Sequence, residues 1–90
     1  MRGIDNTEVR GTVVSDSFSA TSDAKGVIVS SISSTRTILS AYCSNAWYVP
    51  YTIGGDGNYR FFLIAPNSAG TGIDVGKNRT ETIYYTEYVE

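Results

Sequence analysis

Acid-base and nucleophilic mechanisms need a base beside a nucleophile, or two carboxylates held at a set separation. The ninety residues contain no histidine and a single cysteine, Cys43. A serine or cysteine triad of the usual kind therefore has no base. Cys43 closes an alternating segment, Thr35 to Cys43, and reads as a buried, inert thiol. Asp16, Asp23, Asp56 and Asp74 stand singly at segment ends and turns. A glycosidase pair needs a cleft between two carboxylates, and a domain this thin has little room for one. Zinc lacks ligands here, and the Asp56-Gly57-Asn58 spacing is a turn signal before it is a calcium signal. The residues predict no catalytic group, no metal site and no cofactor.

Aromatic side chains are the remaining functional material: one Trp, seven Tyr and three Phe. Tyr and Trp combine rigid apolar area with a polar tip, which suits both sugar stacking and protein interfaces. Binding residues in β domains concentrate on turns held by a rigid scaffold. On that basis a ligand site is expected from Asp56, Asn58, Asn78 and Arg79, which can form planar or bidentate hydrogen bonds to hydroxyls, with Trp47, Tyr48 or Tyr51 stacking on a pyranose face. Each also has a plain role in turn formation or core packing. Tyr84 and Tyr88 fall on the face opposite Ile83 and Tyr85, so both faces of the last segment carry large apolar area. That predicts a subunit interface at Tyr84 and Tyr88.

The elements that would position these groups are strands. The chain is rich in Ser, Thr, Val, Ile and Tyr, and no window shows the apolar spacing of a helix face. In Thr12–Ala20, Val14, Phe18 and Ala20 alternate with Ser15, Ser17 and Ser19. Asp23 to Gly26 is a turn, Val27-Ile28-Val29 a short apolar run, and Thr35–Cys43 a third strand. In Ala46–Ile53, Trp47, Val49, Tyr51 and Ile53 share a face, while Pro50 argues for an edge or a bulge. Gly54 to Gly57 is the clearest turn and joins that strand to Asn58–Ala65. Asn67 to Gly72 is a loop, Ile73 to Val75 a short strand, Gly76 to Arg79 a turn, and Thr80–Val89 the last strand. The expectation is an all-β fold: a small antiparallel β-sandwich, jelly-roll-like, of about seven short strands. Residues 1–11 are expected to form an N-terminal arm or linker, and residues 12–90 the sandwich.

Composition narrows the partners. A net charge of -2 and the lack of a basic run give nucleic acid no electrostatic purchase. Apolar stretches such as Phe61 to Ala65 are too short to span a bilayer, and the start from Met1 to Asn6 lacks the apolar core of a signal peptide. A cytosolic origin is expected, and the Asn78-Arg79-Thr80 triplet then has no meaning as a glycosylation acceptor. A ninety-residue chain buries only about 60–65% of its unfolded surface, and with one cysteine and no histidine it is poorly supplied for a disulfide or a metal to add stability. Association with other chains is the expected supplement.

The strand layout resembles the carboxy-terminal head domains of bacteriophage tail fibres and related receptor-binding or baseplate proteins. The resemblance lies in the Ser/Thr-rich opening strand that ends in the turn at Lys25-Gly26, and in the middle strand Ile38 to Tyr42. It includes the aromatic hairpin from Trp47-Tyr48-Val49 to Tyr59–Leu63 and the closing strand Thr82 to Glu90. It is a pattern of strands over Thr12 to Glu90, with no signature motif. It implies a homotrimeric head, carried on a virion and made in the host cytoplasm, that binds carbohydrate or protein on a bacterial surface. The fibrous stem of that family is not expected within residues 1–11. Two other roles fit the residues: an assembly domain that trimerises, caps or folds a fibre without a small ligand, and a free-standing carbohydrate-binding module.

Overall fold

The computed structural model describes residues 11–45 and 47–90. Apart from Gly11, the expected arm over residues 1–11 lies outside the described residues. In chain order the strands are β1 (Thr12–Thr21), β2 (Val27–Ser33), β3 (Thr37–Cys43), β4 (Tyr51–Ile53), β5 (Asn58–Phe62), β6 (Ile64–Pro66), β7 (Ile73–Val75) and β8 (Thr80–Val89). One layer has the order β1-β8-β3, the other β2-β5-β4, and β6 pairs with β7; all pairings are antiparallel. Tyr48 forms isolated bridges to Tyr42 of β3 and Ile64 of β6, which extends the first layer through β6 to β7. The fold is the expected small all-β sandwich.

The alternation read in the sequence sorts each strand between core and solvent. Ile28 and Ile32 of β2, Tyr59 and Phe61 of β5, and Ile83 and Tyr85 of β8 point inward and form the core with Ile38, Cys43, Val49 and Leu63. Phe18 of β1 reaches across the layers to Phe61, with ring centroids 5.4 Å apart. Full burial of Phe61, Ile28, Leu63 and Ile83 contributes about 1.5–3 kcal/mol for each side chain. Hydroxyl pairs tie the strands at the surface, Thr21 Oγ1 to Thr80 Oγ1 and Ser40 Oγ to Thr86 Oγ1, both at 2.7 Å.

Two expected strands each pass from one layer to the other, and the division of Asn58–Ala65 into β5 and β6 makes the count eight where about seven were expected. Asn58–Ala65 breaks at Leu63, which is wholly buried: its amide donates to the Gly26 carbonyl and its carbonyl accepts from the Gly76 amide, both at 2.9 Å. Those bonds hold the chain as it crosses from one layer to the other, so β5 and β6 belong to different sheets. Ala46–Ile53 divides in the same way, with Tyr48 in the first layer and Tyr51 to Ile53 in the second; Ala46 itself lies outside the described residues. Pro50 occupies the crossing, where its missing N–H leaves no ladder bond unmade and its carbonyl accepts from the Phe62 amide at 3.0 Å.

Of the two carboxylates that alternation places on the inner side of β8, Glu81 and Glu87, Glu87 is the buried one. Arg36 meets it with a fork, Nη2 to Oε1 at 2.6 Å and Nε to Oε2 at 2.8 Å, and Nη2 also donates to the Tyr85 hydroxyl at 3.3 Å. Hydrogen bonding from the Arg36 guanidinium holds the Glu87 carboxyl below the usual carboxylate range. At the turn after β1, the amides of Val27 and Lys25 donate to the Asp23 carboxylate, which lowers its pKa in the same sense.

Candidate functional site

The outer face of the first layer is set by the pairing register. Cα partners run from Ser17 to Tyr84, Tyr84 to Tyr42, Tyr42 to Tyr48, Tyr48 to Ile64, and Ile64 to Val75. Residues directly opposite in antiparallel strands project from the same face, so these six form one row across the sheet. Five inter-strand steps of about 4.8 Å give the row a length of about 24 Å. Its centre is aromatic and open to solvent, with Tyr84 36%, Tyr42 57% and Tyr48 62% exposed.

Hydroxyl-bearing residues border the row. On one side lies the rung Ser15, Thr86 and Ser40, and on the other Ser19 and Thr82. One rung further out, Val13, Tyr88 and Thr37 are aligned. The face thus alternates an aromatic rung with rungs of short donors and acceptors.

The three tyrosines are not equivalent. Tyr42 and Tyr84 stack on each other, with centroids 5.3 Å apart and planes 21° from parallel. Neighbouring strands are about 4.8 Å apart, so this spacing packs the rings face against face and turns their edges and hydroxyls to solvent. Tyr48 is different: among the described residues no ring packs on it, so its ring remains free for a ligand. Beside it Ile64, Ala65, Pro66, Gly72 and Ile73 complete a small cup of about 190 Å³.

The residues expected to bind ligand fall in several places. Tyr48 lies in the row. Tyr51 is half-buried against Tyr59 and Phe61 and donates its hydroxyl to the Ile38 carbonyl at 3.2 Å, so it has no face to offer. Trp47 points inward from the same segment and packs on the core, with the Arg79 guanidinium 5.6 Å from its ring centroid. Arg79 is further engaged by Glu81, Nε to Oε2 at 3.3 Å. Trp47 and Arg79, with Ile73, Asp74, Val75 and Lys77, line an open hollow of about 560 Å³ at the β7 edge. Asn78 takes a left-handed φ of 52° in the turn before β8, and its amide donates to the Asp23 carbonyl at 3.1 Å.

Asp56 and Asn58 lie at the other end of the second layer. Asp56 Oδ1 accepts from the Asn58 amide at 3.0 Å and pairs with Arg60 Nη1 at 3.1 Å. The Arg60 hydrogen bond and the Asn58 amide both lower the Asp56 pKa. The Asn78–Arg79 turn packs near the Leu63 end of β5 and the Asp56 turn at its Asn58 end, with the strand between them. That separates the two by about 13 Å along β5. Trp47 and Arg79 are brought together; Asp56 and Asn58 do not join them.

Of the expected interface pair, Tyr84 stands in the exposed row, whereas the Tyr88 ring lies over Gly11, where a Cβ would collide with it. Tyr42, which sequence reasoning did not single out, is the partner that makes Tyr84 a pair. The signal was present, since Tyr42 alternates with the core residue Cys43, but only the β3–β8 register places it against Tyr84. Among the described residues no group of three or more Cys, Asp or Glu side chains is arranged to hold a metal ion. No family model, curated protein or solved structure matches the chain.

Proposed function

We propose that this chain is a non-catalytic recognition domain of the bacteriophage tail-fibre head type, which binds carbohydrate on a bacterial surface and works as a homotrimer at the tip of a fibre or baseplate. The observation that supports it best is the exposed row Tyr84, Tyr42, Tyr48, bordered on both sides by serine and threonine hydroxyls. Three solvent-facing tyrosines in register add little to the fold of a monomer, and a glycan uses both components: ring faces for its C–H surfaces and hydroxyls for its own.

A second reading, an assembly domain without a small ligand, is favoured by β1. This ten-residue strand pairs with β8 along its whole length and has no partner on its outer edge among the described residues. Such an edge is a template for strand addition by another chain.

Two measurements separate these readings. Purified domain is incubated with bacterial cells and with their extracted surface polysaccharide, and the bound fraction is compared for wild type and the Tyr42→Thr/Tyr84→Thr variant, while native mass spectrometry reports the number of subunits. The recognition reading expects saturable binding that the double variant loses while its subunit number is kept. Full binding by the double variant would refute it, and a trimer that binds no polysaccharide would leave the assembly role.

A further inference from the structure

The cup beside Tyr48 is walled by Ile64, Ala65, Pro66, Gly72 and Ile73, all apolar, and continues the tyrosine row at its β6–β7 end. Its volume of about 190 Å³ is below the roughly 300–1,000 Å³ of sites that enclose a whole small ligand. It therefore fits one compact apolar substituent of a larger molecule lying on the row. The backbone polar groups at its base are already used, since the Tyr48 amide donates to the Ile64 carbonyl at 2.7 Å and the Ile64 amide to the Tyr48 carbonyl at 3.1 Å.

Outside the lining, one polar side chain lies next to Gly72. A Cβ built on Gly72 would meet only the Asn67 side-chain nitrogen, at 3.4 Å. That amide makes a single long contact, Nδ2 to Thr71 Oγ1 at 3.5 Å, while Oδ1 is occupied by the Thr71 amide at 3.0 Å. A carboxamide has two N–H donors, so Asn67 keeps one for a ligand.

An apolar cup with an amide donor beside it matches a methyl group attached to a carbonyl. Resting on the proposed glycan-binding role of this face, we propose that the Tyr48 cup is a subsite for the acetamido group of an N-acetylated sugar. The methyl enters between Ile64, Pro66 and Ile73, the Tyr48 ring stacks on the pyranose, and Asn67 donates to the acyl oxygen.

The test uses probes that differ in that group alone. Chitopentaose and cellopentaose share the β-1,4 backbone and carry an acetamido or a hydroxyl group at C2. Burying one methyl and making one neutral hydrogen bond together favour the acetamido chain roughly tenfold in Kd. Isothermal titration is expected to show that preference in wild type. Ile73→Ser, at a side chain 68% exposed and so dispensable for the fold, should remove most of that preference and bring the two affinities together. Gly72→Val, which narrows the cup, should act in the same direction. Equal affinity for the two pentasaccharides, or a preference that survives both variants, would overturn the subsite. Tighter binding of methyl fucoside than of chitopentaose would assign the cup to a deoxy-sugar methyl instead and overturn the acetamido assignment. The face itself is judged separately: Tyr42→Thr/Tyr84→Thr should weaken both pentasaccharides alike, wild type that takes up the extracted surface polysaccharide but not chitopentaose would overturn the subsite alone, and wild type that binds neither would overturn the glycan role with it.

Discussion

The Tyr42–Tyr84 stack should be worth little to the fold and much to binding, and a double-mutant cycle can measure the first part. Threonine replaces each ring, since it keeps a β-branched strand former at a surface position. Tyr42 is 57% exposed and Tyr84 36% exposed, so neither removal opens a core cavity. The ring-to-ring contact at 5.3 Å is of a class worth about 0.5–1.5 kcal/mol beyond area burial. Each single variant should then lose about 1.5 kcal/mol, with about 1 kcal/mol of that the shared contact. The double variant loses the contact once, for a total of about 2 kcal/mol instead of about 3. For a domain of this size about 1 kcal/mol moves Tm by about 4–8 °C, so the double variant should melt about 8–16 °C below wild type and remain folded at room temperature. Urea and thermal melts followed by circular dichroism on the four proteins give the coupling directly. A coupling below about 0.3 kcal/mol would mean that the rings do not stack in solution. A single-variant loss above about 4 kcal/mol would mean that the row is structural core, and its use as a binding face would fall with it.

Two further outcomes follow from local chemistry. Glu87 titrates at a lower pH in the folded chain than its ordinary value of 4.5 because Arg36 bonds its charged form. Its stabilisation is therefore complete above the unfolded value and is lost as pH falls through the lower folded one. Melts of wild type and Glu87→Gln from about pH 7 to about pH 3 should show a Tm gap that is widest near neutrality and closes in acid; a constant gap would contradict the ion-pair account. Gly26 has φ 79°, and a Cβ there would sit 3.0 Å from the Leu63 carbonyl oxygen and 3.0 Å from Val75 Cβ. Gly26→Ala should cost more than about 1 kcal/mol, whereas Gly55→Ala, with no atom within 4 Å of its Cβ, should leave the urea midpoint nearly unchanged.

Local patterning made the strands legible and left their assembly hidden. Alternation in Thr12–Ala20 and Thr80–Val89 placed β1 and β8, and Gly54 to Gly57 marked the β4–β5 turn, with Gly57 at φ 83°. The sheet crossings at Pro50 and Leu63 were not legible, because an apolar run reads the same whether it stays in one layer or passes to the other. Leu63 differs from its neighbours only in the bonds it makes to Gly26 and Gly76, which are 37 residues before it and 13 after it. Asp56, Asn58, Asn78 and Arg79 read as ligand groups by their chemistry on turns, and turn chemistry is what Asp56 does, spending its carboxylate on Asn58 and Arg60. The tyrosine row is not legible in the sequence because it is a property of register: its members lie at 17, 42, 48, 64, 75 and 84 and meet only through five separate pairings.

That dependence on register has a physical consequence for how the face is maintained. A slip of one residue in β8 would turn Tyr84 into the core and Ile83 to solvent, since successive side chains alternate faces. What prevents the slip lies on the opposite side of the strand from the row. Ile83 and Tyr85 are packed in the core, and two residues on Glu87 is clamped by the Arg36 fork, so any shift would bury Tyr84 or Thr86 and strip a charge of its partner. Hydroxyl bonds from Ser40 to Thr86 and from Thr21 to Thr80 mark the same register from the outside. The proposed recognition face is thus aligned by residues that do not belong to it: the inner face of β8 fixes the register, and the outer face, released from packing, is free to present tyrosines in line.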